Sequence, residues 1–459
     1  MKRKIQIIRT ALLLSVVASW GTITAQFDHT IYNMRNVYQS NLLNPAFIPD
    51  AQYHFGVPAL SSLYTELGTN GAKYNQIFTR GAGDSLYLDA NSILKHVKNK
   101  NAITQRDAVQ WLSGGMKWKE YYFTLSISDY VDWNMLYAGD LVKLALKGNS
   151  QFIGQTVNLN PTYLKATHYR QYSFGAAWDF NPQWNFGARV NMLFGKSNIQ
   201  TKYLDASLYT ADNDYFLTTQ TNVEVNSSLP SSWTGGGGNA IDGNYLFYGG
   251  SFGLSIDLGA TFRLNDEFSF SASVLDLGYI KFDRNFSNFT NHNVKWTFEG
   301  IDALEFRGMT QDQIDQRLKE IGDSLVNKFD VEQTWHSYNI LTTGKVYLGG
   351  TYELSDIETI GAVFRSEIVN KVWRPSLSLT YYRQLLDNLG VIGSYTMVDR
   401  SFLTFGAGIY YNYAPVQVYL VTDNVVGVFV PDAVKYANIH FGVNIFLKGS
   451  PSGNTLIDF

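Results

Sequence analysis

Seven histidines are the first places to look for chemistry: His29, His54, His96, His168, His292, His336 and His440. None stands in an HExxH pair or another metal-ligand spacing, so no metal site is expected. The chain has no cysteine. That removes disulfides, thiolate zinc sites, iron–sulfur clusters, cysteine nucleophiles and lipid attachment through cysteine. His440 shares the polar face of a late segment with Asn438 and Asn444. No serine and acid form a readable triad with it, so a hydrogen-bonded interior role is the better reading. Arg189, Asp257, Arg263, Lys345, Glu353 and Arg365 also fall on polar faces of alternating segments. Their mixed signs fit salt-bridged packing of a filled interior or the lining of a pore, without a single-sign ring for ion selection. The run Thr234-Gly235-Gly236-Gly237-Gly238 lacks the lysine and the strand-to-helix setting of a phosphate cradle. No cofactor and no catalytic set is expected, and the protein reads as non-enzymatic.

Those polar faces belong to segments with a strict period of two. Tyr172, Phe174, Ala176, Trp178 and Phe180 oppose Gln171, Ser173, Gly175, Ala177 and Asp179. Phe252, Leu254, Ile256 and Leu258 oppose Ser251, Gly253, Ser255 and Asp257. Similar segments recur through Leu447, each about the length of a tilted strand crossing a bilayer. Short turns such as Asn181-Pro182-Gln183 and Asn265-Asp266-Glu267 alternate with long connections near 131–168, 196–249 and 276–342. Short turns on one side and long loops on the other are the layout of an outer-membrane barrel. In hydrocarbon every backbone N–H and C=O must be paired, and a closed sheet does this without an edge.

The fold class is therefore all-β, a transmembrane antiparallel β-barrel. About 14 strands are expected, within 12–16. Seven fall between Trp111 and Leu275 and seven between Lys345 and Lys448 by the alternation. Tyr53–Ser61 and Asn293–Glu299 are further strand candidates. Val274–Leu277 breaks the alternation, which places Asp276 at a bulge or bend. Its carboxylate is expected to accept backbone N–H bonds, since no second carboxylate pairs with it in sequence for acid–base work.

Composition agrees with this layout. Only 16 % of residues are charged, the net charge is −3, and there are 10 Trp, 30 Tyr, 29 Phe and 39 Gly. Nucleic acid is excluded as a partner, because that affinity comes mainly from lysine and arginine on phosphates. Lys2, Arg3, Lys4 and Arg9 precede the apolar run 11–18 and small residues ending at Ala25. This reads as a secretory signal peptide over 1–25. Residues 26–50 then form a periplasmic or lumen segment, 51–448 the barrel, and 449–459 a tail. Gly139–Leu146 reads as a short apolar loop helix. Thr310–Asn327 reads as an amphipathic one, with Thr310 and Gln313 as a capping box.

Four motifs carry a family resemblance. They are Asn44-Pro45-Ala46-Phe47, Ser273-Val274-Leu275-Asp276-Leu277-Gly278-Tyr279-Ile280, Thr422-Asp423-Asn424, and Asn438-Ile439-His440-Phe441-Gly442-Val443-Asn444. Together they resemble an uncharacterised family of Bacteroidota outer-membrane barrels, a domain of unknown function. More distantly the chain is similar to the PorP/SprF and PorV barrels of type IX secretion and to FadL-like transporters. The resemblance implies a 14-stranded barrel with an N-terminal segment inside. It points to Asn44, Pro45, Asp276, Gly278, Asp423, Asn424, His440 and Asn444 as motif positions, beside the lumen candidates Arg189, Arg263 and Arg365. The implied setting is the cell outer membrane, with outer-membrane lipid as a partner. The leading expectation is a scaffold or accessory that meets secretion-system or surface proteins. The alternative is a transporter whose ligand is hydrophobic or small.

Overall fold

The structure is a computed structural model that describes residues 28–447, apart from 82–84, 231–244, 246–248, 301–305, 307–308, 370–371 and 399–400. The expected signal peptide, the C-terminal tail and the glycine run at 234–238 lie outside the described residues.

Fourteen antiparallel strands close on themselves. β1 is split into Tyr53–Gly56 and Leu63–Thr69. β2 (Lys100–Trp118), β3 (Tyr121–Ala138), β4 (Tyr163–Asp179), β5 (Trp184–Thr210), β6 (Ser251–Arg263) and β7 (Phe268–Phe282) follow. The second half is β8 (Lys345–Ser355), β9 (Glu358–Val369), β10 (Val372–Leu386), β11 (Leu389–Val398), β12 (Ser401–Tyr413), β13 (Val416–Thr422) and β14 (Tyr436–Leu447). Each strand pairs with its chain neighbours, and both pieces of β1 pair with β14 on one side and β2 on the other. Closure leaves no edge strand, which is what hydrocarbon requires of a sheet.

The alternation holds along these strands because the two faces meet different surroundings. Phe174, Val190, Leu254, Leu258, Leu348, Leu379 and Phe405 point outward and are exposed. Their neighbours Ser173, Arg189, Asn191, Ser255, Asp257, Ser271 and Ser378 are buried inside. A soluble barrel would reverse this pattern, so the outer band is a lipid-facing surface. Trp118, Tyr121, Trp178, Trp184, Phe268, Tyr381 and Tyr413 gather beside the short turns, as an interfacial aromatic girdle does.

Two details differ from the expected strand plan. The region from Trp111 to Leu275 holds six strands, and the missing one is β1 upstream. Its break accounts for the weak signal. Val57–Ser62 bulge out of the ladder around Pro58, with Ala59 at φ 61°. Proline lacks the N–H that a ladder needs. The strands also outrun the bilayer. β5 has 27 residues and continues beyond the barrel to pair with Leu217–Ser228, which in turn pairs with Phe286–Phe298. The candidate strand at 293–299 thus belongs to this upright loop sheet. The connection from β3 to β4 spans only 139–162, because the ladder holds to Ala138 and resumes at Tyr163.

Loop helices α1 (Gly139–Lys147) and α2 (Gln311–Lys328) lie on the long-loop side. α2 starts at a reciprocal cap. Thr310 N–H donates to Gln313 Oε1 at 2.9 Å, and Gln313 N–H donates to Thr310 Oγ1 at 3.4 Å.

Candidate functional site

Residues 28–50 run inside the lumen, from Asp423 just past β13 to Gly187 near the short turn before β5. They form a short helix at His29–Tyr32 and a 3₁₀ helix at Tyr38–Leu42. Most of this plug is buried. Its apolar side chains pack with those of the wall, Tyr32 stacking on Tyr347 at 5.2 Å.

The wall reaches the plug from many strands. His29 Nε2 lies 2.8 Å from Ser376 Oγ on β10. Thr30 donates from N–H and Oγ1 to Asp423 Oδ1 at 2.9 and 2.6 Å, just past β13. Asn33 Nδ2 donates to Thr380 Oγ1, and Tyr32 OH meets Ser271 Oγ. Gln39 and Asn444 exchange two amide hydrogen bonds of 2.8 Å each. Arg189 Nη2 donates to the carbonyls of Asn41 and Leu42. Buried polar groups need such partners, and these partners also fix the plug's position.

The Asn44-Pro45-Ala46-Phe47 motif sits where the plug turns against the wall. Asn44 Oδ1 accepts from Ala46 N–H at 3.0 Å, and its Nδ2 donates to the carbonyls of Ala260 and Ala272. Pro45 presses on bare backbone. A Cβ at Gly187 would lie 2.3 Å from Pro45, and one at Gly259 would lie 2.1 Å from Asn44 Oδ1. Gly349 and Gly361 leave similar room for Tyr32 and Asn33. The inner-face glycines are thus the plug's seat, a role the sequence signals only as glycine recurring at inward positions.

Above the plug is a chamber of about 90 Å³, partly open to solvent. On the plug side it is lined by Ile31, Leu42 and Leu43 beside Asp28 and Gln39, with Leu275 of β7. Its walls carry Tyr64, Tyr130 and Tyr169 and three ion pairs. Arg106 pairs with Asp132 at 2.6 Å, Arg189 with Asp257 at 3.0 Å, and Lys345 with Asp276 at 2.8 Å. Asp276 has φ 58° and lies at the expected bulge, opposite Asp257. Its carboxylate takes Lys345 instead of backbone N–H groups, while its own N–H donates to Asp257 Oδ1 at 2.7 Å. Two carboxylates thus meet there in space, each with its own cation. Gly278 follows the bulge, where a Cβ would collide with the Leu254 carbonyl at 2.0 Å.

His440 faces the chamber. Its Nε2 lies 2.8 Å from Ser62 Oγ and 3.1 Å from Tyr419 OH. Its Nδ1 is buried without a partner. A serine–histidine pair needs an acid on that second nitrogen to hold the tautomer and stabilise the imidazolium, so this pair is not assembled for acyl transfer. Among the described residues no cluster of histidine and carboxylate side chains is placed to hold a metal ion.

Arg365 lies apart from the chamber floor, fully buried, with Nη2 2.8 Å from Glu367 and Nε donating to Tyr347 OH at 2.9 Å. Arg374 completes this group 3.8 Å from Glu367. Arg263 is not brought in; it sits exposed at the short turn after β6. Asn424 caps helix α3 (Val425–Phe429), accepting from Gly427 N–H. Buried Glu66, accepting from Tyr64 OH at 2.6 Å, and Gln39 and Glu367 are interior partners that sequence patterning does not single out, although Glu367 stands two residues from Arg365 and so on its face.

Asp28, just before the first plug helix, feels both its burial and the nearby Asp423 carboxylate, which raise its pKa to about 6. A raised carboxyl pKa favours the docked plug when protonated. The gain is complete below the ordinary value of 3.8 and is lost as pH rises through about 6. We expect the heat-induced gel shift of the folded barrel to need a higher temperature at about pH 5 than at about pH 7.5. Asp28→Asn should narrow that difference; an unchanged difference would remove Asp28 as its source.

A closed barrel with an apolar exterior, a polar interior and an N-terminal plug defines a membrane-spanning β-barrel protein. The chain belongs to the family of unknown function DUF5723, whose model matches residues 45–423. No curated protein matches it. Among solved structures it is similar to the Ralstonia pickettii toluene transporter TbuX, at 9 % identity and TM-score 0.43, over 90 % of this chain and 94 % of that one. The Pseudomonas putida toluene transporter TodX gives 11 % identity and TM-score 0.37 over 89 % and 91 %. A Pseudomonas aeruginosa FadL homologue gives 11 % and 0.37 over 87 % and 91 %.

Proposed function

We propose that the protein is an outer-membrane barrel that takes small or hydrophobic solutes from the cell exterior through a plugged lumen. The observation that carries this reading is the chamber above the plug. Its plug side joins Ile31, Leu42 and Leu43 to the polar Asp28 and Gln39, and its walls carry phenols and paired charges. Such a chamber fits a small molecule with an apolar body and a polar end, since a few placed polar groups orient a ligand in an otherwise apolar site. The plug closes the route below, so passage requires the plug to shift when the chamber fills. This reading takes precedence over a secretion accessory, because the organised polar chemistry is inside the barrel.

The test is uptake by liposomes containing the purified protein, using a panel of small aromatic alcohols and carboxylates. Solutes that enter should do so faster than in protein-free liposomes. Leu43→Trp, which fills the chamber floor, should return uptake to the protein-free rate while the barrel still folds. Equal uptake by this variant and the natural protein would defeat the proposal. So would a barrel inert to every solute that co-purifies stoichiometrically with a surface protein.

A further inference from the structure

One part of the outer surface does not look like a plain barrel wall. Where β13 ends, α3 folds back on the outside of the sheet. Tyr436 and Asn438 of β14 are buried inside, so Ala437 between them points outward. Gly427 of α3 packs on it so closely that a Cβ would lie 2.9 Å from Ala437. Asn424 fastens the helix, donating from Nδ2 to the Tyr436 carbonyl.

This placement turns Val426, Val428, Phe429 and Val430 away from the barrel. Phe429 is 79 % exposed, and the three valines are 40–51 % exposed. Beside them Pro431–Ala433 touches the helical turn Tyr74–Ile77. That turn leads into a small hairpin whose Leu86, Tyr87 and Leu88 are all more than half exposed. The patch is continuous with the lipid-facing band. Leu67 of β1, 57 % exposed, is the ladder partner of Ala437, and Leu420 of β13 is exposed below.

Three lysines ring the point where β1 leaves the barrel. Lys435 accepts from Thr69 N–H through its carbonyl, and its Nζ reaches the Asn70 carbonyl at 3.5 Å. Lys98 is fixed by two hydrogen bonds with Asn101, whose side chain abuts Gly71. Lys73 is the N-cap of the Tyr74–Ile77 turn beside them. Among the described residues none of the three is in an ion pair with a carboxylate. Burial and the charges of Lys98 and Lys73 lower the Lys435 pKa, as expected for crowded cations lacking an anion.

We propose that this face is a built binding surface for an anionic lipid of the outer leaflet, with α3 and the Leu86–Leu88 strand in the acyl region and Lys73, Lys98 and Lys435 on the headgroup phosphate. Continuity with the lipid band selects lipid as the occupant, and the unpaired lysines select the anionic kind. Apolar side chains flanked by lysines are the pairing that binds membrane surfaces. The surface lies outside the lumen, so its test is independent of solute passage.

The absence of native cysteine gives a clean probe. A spin label at Phe429→Cys or Tyr87→Cys, in vesicles of phosphatidylcholine with phosphatidylglycerol, should be more accessible to oxygen than to a water-soluble nickel chelate. Native mass spectrometry from the same mixture should retain phosphatidylglycerol in preference to phosphatidylcholine. Each of Lys73→Gln, Lys98→Gln and Lys435→Gln should weaken that retention roughly fivefold, with the gel shift on boiling unchanged. Labels read mainly by the nickel chelate would overturn the proposal. Equal retention of the two lipids, or spin–spin broadening from a second copy on this face, would do the same.

Discussion

Gly187→Val combined with Gly259→Val should turn a closed barrel into a leaking one. Side chains there would have to occupy space held by Asn44 and Pro45, at 2.1 and 2.3 Å from the ideal Cβ positions. Neither strand can retreat, because Gly187 and Gly259 face each other in the β5–β6 ladder and both strands are paired on both sides. The plug must move instead. Its turn then loses the Asn44 contacts to Ala260 and Ala272, and Arg189 loses the carbonyls of Asn41 and Leu42. Swelling of liposomes in small sugars should be slow with the natural protein and fast with the double variant. Gly393→Val is the matched control. It also places valine in a strand, but a Cβ there meets nothing within 4 Å. Equal swelling by all three proteins would mean that the plug is not the barrier.

The largest expected loss of stability is at Glu367. Its carboxylate faces Arg365 at 2.8 Å and Arg374 at 3.8 Å, with all three side chains at most 4 % exposed. Glu367→Leu removes the carboxylate that two buried guanidinium groups share. Breaking a buried pair from one side costs about 3–5 kcal/mol. The urea midpoint of the detergent-folded barrel should fall accordingly, and the gel shift on heating should begin at a lower temperature. Adding Arg365→Met should recover part of the loss, because a matched apolar pair leaves one fewer charge to desolvate. A single variant as stable as the natural protein would show that the cluster is wet, with water replacing the carboxylate.

The barrel was legible because its two surroundings write directly onto the chain. Lipid outside and a polar lumen inside impose a period of two that no soluble core requires over so many strands. Phe252–Leu258 can be read outward and Ser251–Asp257 inward without knowing any partner. The Asp276 bulge was equally local, since one extra residue breaks the period where it occurs. β1 was only half legible, because Pro58 and the bulge at 57–62 interrupt its pattern.

The interior was not legible, because its partners are far apart in sequence. Ser62 and His440 meet across 378 residues, and Gln39 and Asn444 across 405. Asn44 was visible as a motif, yet only the closed wall brings it to Ala260 and Ala272. Period-two patterning says which way a side chain points. It does not say what stands opposite once fourteen strands have closed. Thus the sequence alone determined a lipid-facing barrel with an inward polar face and glycines on it. The tertiary structure alone decided that those glycines seat the N-terminal segment, that the inner charges pair off, and that a chamber of mixed polarity remains above the plug. Alternation is a property of each strand with its solvent, whereas contacts inside a lumen are a property of closure.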